Sequence, residues 1–122
     1  MEYWKQLIFN ILFALCVILY TLLTFLNPGI VINSKKGMMH SSFCKKCLVY
    51  FQTREMVEHC FDCDVCLKDP DHHCSVFRKC ITKKNFWIFV GIIVDFLALY
   101  VYSVIFLVIY LIDKYGTLKR KS

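Results

Sequence analysis

The chain is predicted to be a membrane protein in which two transmembrane α-helices flank a cytosolic cysteine-rich domain with two zinc sites and short β-hairpins. Three observations carry this. Residues 7–26 form a 20-residue run with no charge. Residues 86–112 form a second, longer apolar run, interrupted only by Asp95. Between them one ligand phrase occurs twice, interleaved, as Cys44-x2-Cys47-x11-His59-x6-Cys66 and Cys60-x2-Cys63-x9-His73-x6-Cys80. The organisation expected is an N-terminal segment (1–6), a membrane helix (7–26), a linker (27–42), the cysteine-rich domain (43–85), a membrane helix (86–112) and a basic tail (113–122).

Each element has a physical reason. Hydrophobic residues make up 58% of the chain, above the globular average of about 45–50%. A helix needs roughly 20 apolar residues to cross the hydrocarbon, and both runs qualify. Tyr3 and Trp4 fall where an interfacial aromatic belt is expected, as do Phe86 and Trp87 at the start of the second run. Asn27-Pro28-Gly29 ends the first helix, because proline cannot continue it and disfavours α geometry in the residue before. The length of the first run, and the lack of a small-residue cleavage site at that tripeptide, argue against a removable signal peptide. Residues 33–42 read as a polar linker in which His40 is solvated, and Tyr115-Gly116 as the end of the ordered chain.

Ten of the 15 basic residues lie between the two runs, which places that loop in the cytosol. A reducing compartment also suits zinc-bound and nucleophilic thiols. The net charge of +6 then reads as attraction to anionic lipid headgroups. No basic aromatic platform for nucleic acid accompanies it. Arg78, Lys79, Lys83 and Lys84 are candidates for contacts with lipid headgroups or other phosphates.

Three cysteines and one histidine form the closed tetrahedral set of a structural zinc site, and each phrase supplies one such set. About 40 residues cannot bury enough apolar surface to fold unaided, and metal binding offsets the deficit. The residues expected in the small core are Phe43, Leu48, Val49, Tyr50, Phe51, Met56, Phe61, Phe77 and Ile81. In each phrase the histidine is followed at once by a cysteine. Cys60 opens the second phrase, so Cys74 should open a third, but the position three residues on is Phe77. Cys74 is therefore a thiol without a metal, directly after Asp71-His72-His73. With His73 committed to zinc, His72 is free to take the proton of Cys74. Asp71 can hold the other ring nitrogen of His72, as the third member of a triad does, or serve only as a helix or turn cap.

At these residues the chain resembles the DHHC family of membrane protein S-acyltransferases, or palmitoyltransferases. Asp71, His72, His73 and Cys74 match the motif that names the family, the eight zinc positions match, and so do Asn85 and Phe89. Asn27-Pro28-Gly29 is similar to the family's Asp-Pro-Gly after its second membrane helix. The resemblance covers about residues 20–95 and implies acyl transfer from acyl-CoA through Cys74 to cysteines of substrate proteins, with two structural zinc ions. It also implies a multi-pass protein of the endomembrane system (ER or Golgi). Its partners would be membrane lipids and proteins with membrane-proximal cysteines. The departures are definite. Two residues are inserted between Cys47 and His59, and the family's Arg/Lys-Pro there is missing. Val76 replaces a tryptophan, Lys79 an asparagine and Thr82 a glycine. Family members have four membrane helices and a later Thr-Thr-x-Glu segment, where this chain has two helices, so a homo-oligomer or accessory subunit would complete the bundle.

The competing reading is a catalytically inactive zinc subunit that binds or stabilises partners in a larger complex. Cys16, inside the first run, reads as a small packing residue. Asp95, about 15 Å into the second helix at 1.5 Å per residue, is expected to face a helix partner or an acyl cavity, or else to bond its own backbone.

Overall fold

A computed structural model describes residues 3–32 and 41–121. Most of the expected linker, with His40, lies outside the described residues. The chain divides into two compact units, Met1–Tyr20 with Gly91–Ser122, and Thr21–Val90.

The first unit is an antiparallel helix pair. Helix α1 is Tyr3–Phe25 and helix α2 is Phe86–Lys121, and both are long and apolar enough to cross a membrane. Gly91 allows close approach, since a Cβ there would sit 3.5 Å from Leu19 Cδ1. At the other end the Tyr102 hydroxyl donates to the Lys5 carbonyl at 2.5 Å, and Tyr102 packs on Phe9 and Phe106. Both helices exceed the expected spans. α1 starts at Tyr3 rather than Leu7, because Tyr3–Gln6 contains no helix breaker. α2 runs through Tyr115-Gly116, which does not end it. One glycine in a helix costs only about 1 kcal/mol, and Thr117 Oγ1 donates back to the Asp113 carbonyl at 2.8 Å across it.

Asp95 is buried in this unit at 4% exposure, so among its expected surroundings a helix partner is found, and that partner is the chain's own α1. The Cys16 thiol is its neighbour, yet neither carboxylate oxygen has a hydrogen-bond partner among the described residues. A buried polar group left unsatisfied costs about 1–3 kcal/mol. Asp95→Val is therefore expected to stabilise the helix pair by about that amount, read as a higher denaturant midpoint in detergent micelles. An equal loss would mean that the carboxyl has a partner beyond the described residues.

The second unit holds three antiparallel hairpins. They pair β1 (Ser41–Cys44) with β2 (Val49–Gln52), β3 (Val57–Cys60) with β4 (Val65–Lys68), and β5 (Pro70–Cys74) with β6 (Lys79–Thr82). Superposed by register they are one motif. Phe43 faces Tyr50, His59 faces Cys66 and His73 faces Cys80. One residue on, Cys44 faces Val49, Cys60 faces Val65 and Cys74 faces Lys79. Each turn then has Cys-x-x-Cys or Cys-x-x-Phe followed by a residue in left-handed geometry: Leu48 (φ 56°), Asp64 (φ 55°) and Arg78 (φ 50°). Only Asp64 is a residue type that favours that region. The repeat holds the backbone there at the other two.

The chain leaving α1 is tied to these hairpins. Asn27 Oδ1 accepts from the backbone N–H groups of Gly29 and Ile30 at 2.8 and 3.0 Å, and Gly29 takes φ 98°, open to glycine. The segment then runs along β4, with Val31 N–H donating to the Cys66 carbonyl and Lys68 N–H to that of Gly29. Thr82 Oγ1 donates to the Pro28 carbonyl at 2.6 Å. Asn85, fully buried, takes the Thr82 N–H at 2.8 Å and gives its amide to the Cys80 carbonyl at 3.1 Å, fixing the passage from β6 into α2.

The apolar core of this unit is small: Leu23, Val49, Leu67 and Ile81, with the sulfurs of Cys66 and Cys80. Of the expected core residues, only Val49 and Ile81 are buried; Phe43, Leu48, Met56 and Phe61 are exposed. The ligand clusters take the interior place that apolar side chains fill in a metal-free domain, which turns the knuckle residues outward.

Candidate active site and metal centres

Alternation along a strand explains why the ligand phrases interleave. Successive side chains point to opposite faces, so adjacent His59 and Cys60 serve different clusters, and His73 parts from Cys74 in the same way. The first turn supplies Cys44 and Cys47, and the second hairpin's strands supply His59 and Cys66. The second turn supplies Cys60 and Cys63, and the third hairpin's strands supply His73 and Cys80. In each set the ligand atoms lie within 4.8 Å of one another.

The distances fit zinc. His59 Nδ1 is 3.2, 3.7 and 3.8 Å from the sulfurs of Cys47, Cys44 and Cys66. His73 Nδ1 is 3.4, 3.5 and 3.6 Å from those of Cys63, Cys80 and Cys60. A tetrahedral ion with Zn–S near 2.3 Å holds its ligand atoms about 3.5–3.8 Å apart. All eight cysteines are free thiols, so the loop is not a disulfide framework. Asp64, in the second turn, places a carboxylate oxygen 3.3 Å from His59 Nε2, the side away from the sulfurs. The approach is an ion-pair contact without hydrogen-bond geometry, since His59 Nε2 has no hydrogen-bond partner among the described residues.

The sulfurs of each cluster differ in acidity. The backbone N–H of Cys47 pulls the Cys44 thiol down. At Cys60 burial pushes up, but the N–H groups of Cys63 and Asp62 with the Cys80 and Cys63 thiols outweigh it and bring the thiol to about 7. Burial, then the Cys44 and Cys47 sulfurs, push Cys66 up to about 12, and burial with the Cys60 and Cys63 sulfurs pushes Cys80 up as well. Three sulfurs this close can all ionise only around a cation, with the histidine as the neutral fourth ligand. Both sets could therefore hold zinc, closed by four protein ligands with no open position.

On the face of β5 opposite His73 lies the other chemistry. The register of β5 on β6 shifts between Pro70 and His72. A bulge re-aims a side chain, and here it lets Asp71 reach its neighbour, with Asp71 Oδ2 2.6 Å from His72 Nδ1. Asp71 thus pairs with His72, and since β5 is a strand no helix begins here for it to cap. His72 stands edge-on to Phe89 at 5.4 Å, and Phe89 to Phe77 at 5.9 Å. The aromatic pair seats the imidazole. Cys74, two residues beyond His72, lies on the same face and is half-buried. A cleft of about 390 Å³ opens beside Asp71, walled by Met56, Lys83, Phe86 and Trp87.

A sequence profile described as DHHC palmitoyltransferase matches residues 37–121. The chain belongs to the DHHC palmitoyltransferase family. It is 36% identical over 78 residues to the probable protein S-acyltransferase 3 of Arabidopsis thaliana, covering 64% of this chain and 18% of that protein. It is 33% identical over 70 residues to palmitoyltransferase ERF2 of Kluyveromyces lactis, covering 57% and 17%. To palmitoyltransferase Hip14 of Drosophila melanogaster it is 42% identical over 55 residues, covering 45% and 8%. The chain thus spans less than a fifth of the length of these relatives.

Within this family's hairpins, the four basic residues singled out from the sequence divide. Lys83 approaches Asp69 at 3.7 Å. The Lys79 ammonium donates instead to the carbonyls of Thr24, in the last turn of α1, and Leu26, just past its end, and burial lowers its pKa. The seating of His72 by Phe89 and Phe77 was not legible in the sequence. Two signals bore on it: Phe89 matches a family position, and Phe77 holds a knuckle position that is cysteine in the other two turns.

Proposed function

We propose that this chain carries the catalytic core of a protein S-acyltransferase, taking a fatty acyl group from acyl-CoA onto Cys74 and passing it to a cysteine of a substrate protein. The observation that carries the reading is Cys74 itself. It occupies a zinc-knuckle position with no metal set to complete, on the same strand face as the Asp71–His72 pair.

In the first step Cys74 Sγ attacks the thioester carbonyl carbon while His72 takes the thiol proton, and Asp71 stabilises the resulting imidazolium. The carbon–sulfur bond to CoA breaks, and the CoA thiolate leaves with the proton from His72. In the second step a substrate thiol gives its proton to His72 and attacks the Cys74 thioester. Cys74 leaves and regains the proton. Zinc supplies structure: Cys44, Cys47, His59 and Cys66 would hold one ion, and Cys60, Cys63, His73 and Cys80 the other.

Both helices span the bilayer in this reading, with the hairpins cytosolic, in the ER or Golgi. Membrane lipids and proteins with membrane-proximal cysteines are the partners, and a second copy or an accessory subunit completes the helix bundle. Zinc-loaded protein in lipid, given labelled palmitoyl-CoA, is expected to take label at Cys74 as a hydroxylamine-sensitive thioester that Cys74→Ser lacks. Absence of that label from the parent would reject the catalytic reading in favour of a binding subunit.

A further inference from the structure

The three hairpins share a register, and one cross-strand position separates the third from the others. Opposite Cys44 and Cys60 stand Val49 and Val65, whereas opposite Cys74 stands Lys79. Its ammonium donates 2.7 Å hydrogen bonds to the carbonyls of both Thr24 and Leu26. The final carbonyls of a helix lack partners within it and carry the negative end of its dipole. The last turn of α1 contains no basic residue, so the cation there comes from a strand more than fifty residues away in sequence. Two donors of one ammonium fix both distance and direction, and Thr82 on the same strand grips the Pro28 carbonyl just beyond.

We propose that Lys79 is a positioning residue, which fastens the Cys74 hairpin to the C-terminal end of α1 and so sets the position of the Cys74 sulfur relative to the Thr24–Leu26 carbonyls. This rests on the acyltransferase reading for its consequence: an acyl chain lying among apolar helices presents its thioester at one depth only. A reacting pair displaced by about 1 Å loses about 100-fold in rate. The residue itself touches no reacting atom.

The test uses the full chain in phospholipid vesicles, with zinc content as the check on folding. Lys79→Met is expected to lower acylation by palmitoyl-CoA about 10- to 100-fold. The rate with acetyl-CoA, which needs no anchored chain, should stay within about 3-fold, and Lys79→Arg should restore most of the palmitoyl rate. If Lys79→Met loses zinc, Lys79→Gln, which keeps a donor without the charge, carries the comparison. Equal losses with both donors, or none with either, would overturn the proposal. Should the parent take no acyl group at all, the acyltransferase reading fails. Positioning is then read by mass spectrometry of Cys74 after reaction with a lipid-tethered maleimide and with a water-soluble one. A selective loss with the tethered reagent supports it, and equal reaction with both overturns it.

Discussion

Removing zinc is expected to unfold the three hairpins and abolish acylation together. The apolar core of the hairpin unit is too small to order about 40 residues against their conformational entropy, since among the described residues Leu23, Val49, Leu67 and Ile81 are its only buried aliphatic side chains. Structural zinc sites contribute on the order of 10–16 kcal/mol of apparent binding free energy in small domains, and that energy is folding energy here. The connectivity makes the loss cooperative. Each ligand set joins the turn of one hairpin to the strands of the next, so an ion bound there could not leave without releasing two hairpins. Cys80→Ala removes the cross-strand partner of His73 and strikes the Cys74 hairpin directly. Cys44→Ala leaves the second set of ligands whole. We expect Cys80→Ala to lose acylation by about 1,000-fold or more, as a displaced nucleophile would, and Cys44→Ala to lose less. Zinc per chain by elemental analysis, amide exchange of β3–β6 and palmitoyl labelling measure the three effects. Hairpins that stay protected after complete chelation would refute the account.

Acid acts in the same direction. The Cys66 thiol, raised to about 12 by burial and its sulfur neighbours, loses its proton to water at neutral pH only when a metal ion binds the sulfur. Zinc uptake must therefore release protons, and apparent affinity falls as pH falls.

How much of this was legible in the sequence follows from the range of each interaction. The ligand sets were legible because tetrahedral closure requires fixed spacings, and His59–Cys66 and His73–Cys80 turn out to be register partners across hairpins. Cys74 was legible as the donor left over. The Asp71–His72 pair was legible from adjacency, but not the bulge that makes it possible, since a regular strand would send the two side chains apart. The core was misread at Leu48, Met56 and Phe61, because apolarity alone does not reveal that metal clusters fill the centre. Lys79 was read as a phosphate contact. Its partners at Thr24 and Leu26 are distant in sequence and are backbone carbonyls, which no residue type announces. The end of α2 was misplaced at Gly116, where a single glycine is too weak a breaker.

Phe77→Cys should abolish the proposed acylation by completing the knuckle that the sequence leaves half-built. In the first two turns, cysteine at this position and cysteine three residues earlier both turn toward a metal (Cys44 with Cys47, Cys60 with Cys63). The third turn keeps the same register and the same left-handed residue, Arg78, so its backbone is built to bring sulfurs 74 and 77 together. Phe77 instead packs against Phe89, which seats His72. A Cys-x-x-Cys pair readily oxidises or binds metal, and either outcome takes the Cys74 sulfur from the acyl donor. The expected loss is about 100-fold or more in palmitoyl labelling, because acylation requires a free thiolate. It should be accompanied by two fewer titratable thiols under oxidising conditions, or by more than two zinc ions per chain under reducing ones. Phe77→Leu, which keeps an apolar contact with Phe89 and adds no sulfur, should retain the activity within about 10-fold. If Phe77→Cys labels at the parent's rate, the third turn is not a vacated metal knuckle, and the freedom of Cys74 has another cause.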